Sequence, residues 1–182
     1  MLDGEKPNRE QFVTDLSFVR FIAAMGFVAL LVGCANTGST WSHAQTPSGY
    51  RAPQTLNVSV AVQTQGEDLD DAVKELKGSL RSELKSRGIQ ATFVGKADGS
   101  PMTELRVVEW AAGSRWKRYW RDDDGEGHIV VVVKSPTLDG QPGFNGTVRG
   151  YVKAGVWYGG SASISASEAG LAIAKAIAGE PE

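Results

Sequence analysis

Cysteine is nearly missing from this chain of 182 residues, occurring once, at Cys34. A single thiol excludes an internal disulfide and a cysteine-rich zinc site. Histidine occurs twice, at His43 and His128, and two residues so far apart do not read as a metal site. No surplus of positive charge exists, since the formal net charge is −2, so nucleic acid is not an expected partner. No apolar run reaches the roughly 20 residues that a membrane-spanning helix needs. No Gly-x-Ser-x-Gly elbow frames a nucleophile. Gly159-Gly160 lacks the Lys-Ser/Thr that completes a phosphate loop. The expectation is a non-catalytic protein without cofactor or metal.

What is present begins at the amino terminus. Residues 21–33 are uninterrupted by charge, and Arg20 stands immediately before them. That length suits the apolar core of a signal peptide, typically about 7–15 residues. A polar tract rich in Ser, Thr and Gly follows at once. The segment Leu31-Val32-Gly33-Cys34 resembles the lipobox of bacterial lipoproteins: an aliphatic residue, a small or aliphatic one, a small one, then Cys. The resemblance implies cleavage between Gly33 and Cys34, and acylation of Cys34, with palmitate-type chains, after export. It implies a place in the bacterial cell envelope, lipid-anchored to a membrane. Ala35, rather than Asp, follows the cysteine, which by the enteric rule leans toward the outer membrane with the domain facing the periplasm.

The first nineteen residues depart from that pattern. Lys6 and Arg9 are outweighed by Asp3, Glu5, Glu10 and Asp15, whereas signal peptides begin positive. A start at Leu16 removes the conflict and makes residues 1–15 a mis-assigned leader.

Residues 34–54 read as the lipidated Cys and a flexible tether, residues 55–179 as one domain, and residues 180–182 as a tail. Within the domain, Leu56, Val58, Val60 and Val62 alternate with polar or small residues, a period of two that marks a half-buried strand. From Asp68 to Arg87, Leu69, Val73, Leu76, Leu80 and Leu84 recur at helical steps. Acids crowd the start of that helix, where its dipole favours them, and Gly88 reads as its left-handed cap. Strands are expected over 89–94, 103–110, 127–134 and 144–153. The unbroken Ile129–Val133 run belongs at the centre of the sheet, covered on both faces. Turns fall at 96–101 and 138–141, and a glycine-rich loop at 155–160. A last helix follows, with Ser165 and Glu168 as a capping box and Ala166, Gly170, Ala174 and Ala178 as a ridge of small residues. The order of elements predicts an α+β fold: a two-layer sandwich, a mostly antiparallel sheet with two helices on one face.

The segment from Trp110 to Asp124 is unusual in composition. Trp110, Trp116, Tyr119 and Trp120 are interleaved with Arg115, Lys117, Arg118 and Arg121, and three Asp follow. Aromatics among cations stack on sugars or grip anions. Trp110, Arg115, Trp116, Arg118, Tyr119, Trp120 and Arg121 therefore form a candidate surface for another envelope protein, a glycan or an anionic lipid headgroup. The competing reading is a hairpin whose rings pack down while its charges face water. The run from Ala112 to Trp120, the Val-rich strand, Leu138-Asp139-Gly140 and Tyr158-Gly159-Gly160 together resemble the uncharacterised domain-of-unknown-function family 4410. That resemblance implies a fold and no mechanism.

Three functions are compatible with this pattern: a lipid-anchored binding or assembly module, a periplasmic hydrolase acting on envelope material, and a structural subunit of an envelope or secretion complex. A start at Leu16 predicts that the unprocessed precursor yields no peptide from residues 1–15 in mass spectrometry. Finding one refutes it.

Overall fold

The computed structural model describes residues 37–43, 47–95, 102–114, 116, 125–136, 143–153 and 161–180. The elements are β1 (Thr37–Trp41), β2 (Thr55–Val62), α1 (Leu69–Ser86), β3 (Gln90–Phe93), β4 (Thr103–Ala111), β5 (Gly127–Lys134), β6 (Asn145–Val152) and α2 (Ser163–Ile177). One six-stranded sheet runs in the order β1-β6-β5-β4-β2-β3. The fold is α+β, as the order of elements predicts. The expected turns and the glycine-rich loop lie outside the described residues, as do the expected signal segment, Gly33 and Cys34.

The sheet is mixed. Strands β4, β5, β6 and β1 pair antiparallel, while β2 runs parallel to both β3 and β4. A helix causes the parallel part. α1 carries the chain back to the starting end of β2, and a strand entered from there must run in the same direction. α1 buries Leu69, Leu76, Leu80 and Leu84, the leucines its periodicity marks, with Ala72 in place of Val73, which is half-buried. Gly88, with φ 78°, ends it. Gly88 N–H donates to Lys85 O and Ile89 N–H to Leu84 O, a Schellman closure with buried Leu84 and Ile89 at its two ends.

The layer between sheet and helices is built from alternate residues of each strand. Leu105, Val107, Ile129, Val131, Val133 and Val148 are all essentially inaccessible. Val130 and Val132 of the same β5 run are half-buried on the other side, so the central position holds while one face stays partly open. α2 rests on β6 through glycine: a Cβ on Gly150 would collide with Ser165 O and lie 3.0 Å from Ala169 N. The expected capping box does not form. α2 begins two residues before Ser165, whose hydroxyl is turned to Ala162 O at 2.6 Å, and Glu168 accepts a bond from Thr37 instead.

The flexible tether expected over residues 35–54 is corrected by the structure. Thr37–Trp41 completes the sheet as an edge strand on β6. Nothing in Thr-Gly-Ser-Thr-Trp announces a strand. The free edge of β6 supplies the hydrogen bonds, and side chains lock the strand in place. Thr37 Oγ1 donates to Glu168 Oε1 at 3.1 Å, and the Trp41 ring meets Phe144 edge-on at 5.4 Å. Further on, the Tyr50 hydroxyl donates to Ile177 O at 2.8 Å, so this segment ties the sheet edge to the end of α2.

Burial holds the Tyr50 phenol neutral and pushes its pKa up from 10.0 to about 12. Below pH 10 the group is neutral folded and unfolded. Between there and about 12 only the unfolded chain ionises, so stability is lost as pH rises through that window. Tyr50→Phe should unfold at a lower temperature at pH 7, for want of a hydrogen bond that contributes about 1 kcal/mol. Its thermal midpoint should also decline less steeply than wild type in that alkaline window. Parallel curves for the two proteins would refute the assignment.

Candidate partner surface

The candidate surface divides when the chain folds. Trp110 is buried, and its indole N–H donates to Glu67 O at 2.8 Å. It belongs to the core, which corrects its place among the surface aromatics. Trp116 is 69% exposed. Arg115, Arg118, Tyr119, Trp120 and Arg121 lie outside the described residues.

A bulge moves Trp110 inward. Leu105 and Val107 face the helices, and unbroken alternation would send Glu109 to the core and Trp110 to water. The register between β4 and β5 shifts between Val107 and Glu109, the extra residue reverses the parity, and Glu109 emerges on the open face instead. The sequence held a signal for this. A charge two positions after a buried valine conflicts with simple alternation, and burying it unpaired costs more than a bulge.

The side of the sheet away from the helices carries the polar groups that composition did not single out. His128 Nε2 lies 2.7 Å from Glu109 Oε1, a cross-strand pair between β5 and β4. Arg149 of β6 donates to Glu126 Oε1 at 3.1 Å. Lys153 Nζ stands 5.1 Å from the centre of the Tyr151 ring. Between these groups lie Val130 and Val132. Arg106 reaches in from β4 with a buried Nε that has no acceptor. The result is a gently apolar strip edged by polar groups of both kinds: Glu109 beside His128, Glu126 beside Arg149, and Lys153 over a ring. Such a surface suits adhesion to a flat partner better than chemistry, because Glu109 is 61% exposed and water competes for its pairing with His128.

A second feature lies at the corner between β2 and α1, where Val62, Thr64, Gly66, Asp68 and Asp71 line a shallow hollow of about 470 Å³. Asp68 takes a left-handed φ of 58° there. Among the described residues no group of three His, Cys, Asp or Glu side chains is placed to hold a metal ion. No helix among them is long and apolar enough to cross a membrane.

The two tryptophans should respond oppositely to truncation. Trp110→Ala removes a buried ring and strands Glu67 O, and should cost about 3–5 kcal/mol. Trp116→Ala should stay within about 0.5 kcal/mol of wild type, as exposed sites do. Urea titration of both variants checks this, and equal losses would overturn the assignment of one to core and the other to surface.

No protein-family model matches the chain, and no curated protein does. Among solved structures, the PelC dodecamer from Paraburkholderia phytofirmans is similar at 15% identity and a TM-score of 0.48, over 79% of this chain and 99% of that one. A methionine-for-leucine variant of the same dodecamer is similar at 14% identity and a TM-score of 0.46, over 76% and 95% of the two chains. At identities this low, the residues and partners of PelC remain statements about PelC.

Proposed function

We propose that this chain is a lipid-anchored cell-envelope protein, a non-catalytic module that binds or assembles with another envelope component. The observation that carries the reading is the apolar run ending in Leu31-Val32-Gly33-Cys34, which gives the lone cysteine of the chain a chemical purpose. A thioether-linked diacylglyceryl group, with a further acyl chain on the freed amine, anchors far more firmly than one chain does. Ala35 at the next position favours the outer membrane, with the domain on the periplasmic side.

The open sheet face supports binding rather than turnover. Its Glu109–His128 and Glu126–Arg149 pairs are in contact with water. Catalysis draws on groups held where water is excluded. Val130 and Val132 give the face an apolar centre, and the pairs around it supply a polar rim. A glycan strand or a neighbouring envelope protein fits this surface, as does a structural place within an envelope or secretion complex.

Metabolic labelling with an alkyne fatty acid tests the anchor. Wild-type protein should incorporate the label and fractionate with membranes, and Cys34→Ser should do neither. A soluble product with a free thiol at position 34 would overturn the reading. Turnover of a peptidoglycan or ester substrate, lost in His128→Ala, would replace the binding module with a hydrolase.

A further inference from the structure

The strand that follows the anchor also orients the domain. β1 starts at Thr37, three residues after Cys34. Three extended residues span at most about 11 Å, so an acylated Cys34 holds the start of β1 close to the lipid. The register identifies what else lies at that end. Thr37 is opposite Val152, the last residue of β6. Val152 is opposite Gly127, the first of β5, and the next residue, His128, is opposite Ala111, the last of β4. The anchored end of β1 is therefore the end at which β4 runs out into Ala112, Gly113, Ser114 and Trp116. β4 lies three strand positions from β1, about 14 Å at ordinary strand spacing. The opposite end, where β6 starts at Asn145, is about 25 Å away along strands of this length.

We infer that Trp116 is a second membrane contact, seated in the headgroup layer of the bilayer that the Cys34 anchor reaches. This rests on the proposed lipid anchor and adds which face the domain turns to the lipid. Trp116 is 69% exposed. Tryptophan settles at membrane interfaces, where its apolar body and polar N–H are both accommodated. The anchor removes most of the entropic cost of bringing the ring to the surface. Charge contributes little. Arg115, Lys117, Arg118 and Arg121 are followed directly by Asp122, Asp123 and Asp124. β2 runs out at the same end into Asp68, Asp70 and Asp71 at the head of α1. That corner is four strand positions from β1, about 19 Å. Phosphates repel it, so the domain leans toward its β1–β4 side. The contact depends on the aromatic ring and persists at high salt.

The test uses full-length acylated protein, purified from membranes and reconstituted into vesicles of phosphatidylethanolamine and phosphatidylglycerol. With Cys34 blocked by its lipid, Trp116→Cys offers a lone thiol for a fluorophore, and Asn145→Cys offers one at the far end. Doxyl-labelled lipids should quench the probe at position 116 severalfold more than the probe at 145, in low and high salt alike. In the unlabelled protein, Trp116→Phe should lower the tryptophan quenching by brominated lipids. Equal quenching at the two positions, with Cys34 shown by mass spectrometry to be acylated, overturns this inference alone. An unacylated Cys34 overturns the anchor and this inference with it.

Discussion

The arrangement depends on how closely three backbones approach one another. A Cβ at Gly170 of α2 would meet Ser79 Oγ and come within 2.8 Å of Leu76 O on α1. On its other side α2 presses on β6 at Gly150. Small residues at these points let both helices lie flat on one face of the sheet, and the leucines of α1 fill the space beside them. The faces of the strands follow from that: Leu105, Val107, Ile129, Val131 and Val133 point to the helices, and the residues between them form the open face.

The edge strand matters as much for function as for stability. β1 closes the free edge of β6, which would otherwise offer unpaired backbone groups. The strand is fastened at Thr37, Trp41 and, further along, Tyr50. A tether of twenty free residues would let the domain wander. With Cys34 acylated as proposed, a tether that turns into sheet within three residues sets an orientation, and any contact the domain makes is constrained by it.

Parts of this were legible in the residues and parts were not. The α1 leucines, the alternation in β6 and in the first half of β2, where Leu56 and Val58 are buried though Val62 is exposed, the central place of β5 and the small-residue ridge of α2 are local patterns whose burial follows from their own period. Trp110 was misplaced because a surface assignment drawn from composition takes no account of parity, and the bulge at Val108 changes parity. β1 was missed because its five residues carry no pattern of their own. The capping box was lost because Glu168 is better used bonding to a residue 131 positions away. In each case a partner distant in sequence outweighed a local preference.

The amino-acid sequence by itself determined the class of fold, the helix stripes, the buried valines and the apolar run that ends in a lone cysteine. These are properties of neighbours along the chain, and short-range periodicity encodes them. Tertiary structure alone decided that the segment after that cysteine is a strand, that Trp110 turns inward while Trp116 faces water, and that β1 starts at the end of the sheet where β4 runs out. Those outcomes depend on which strands pair and in what register. Pairing satisfies backbone hydrogen bonds between segments far apart in the chain, and no local pattern carries that information.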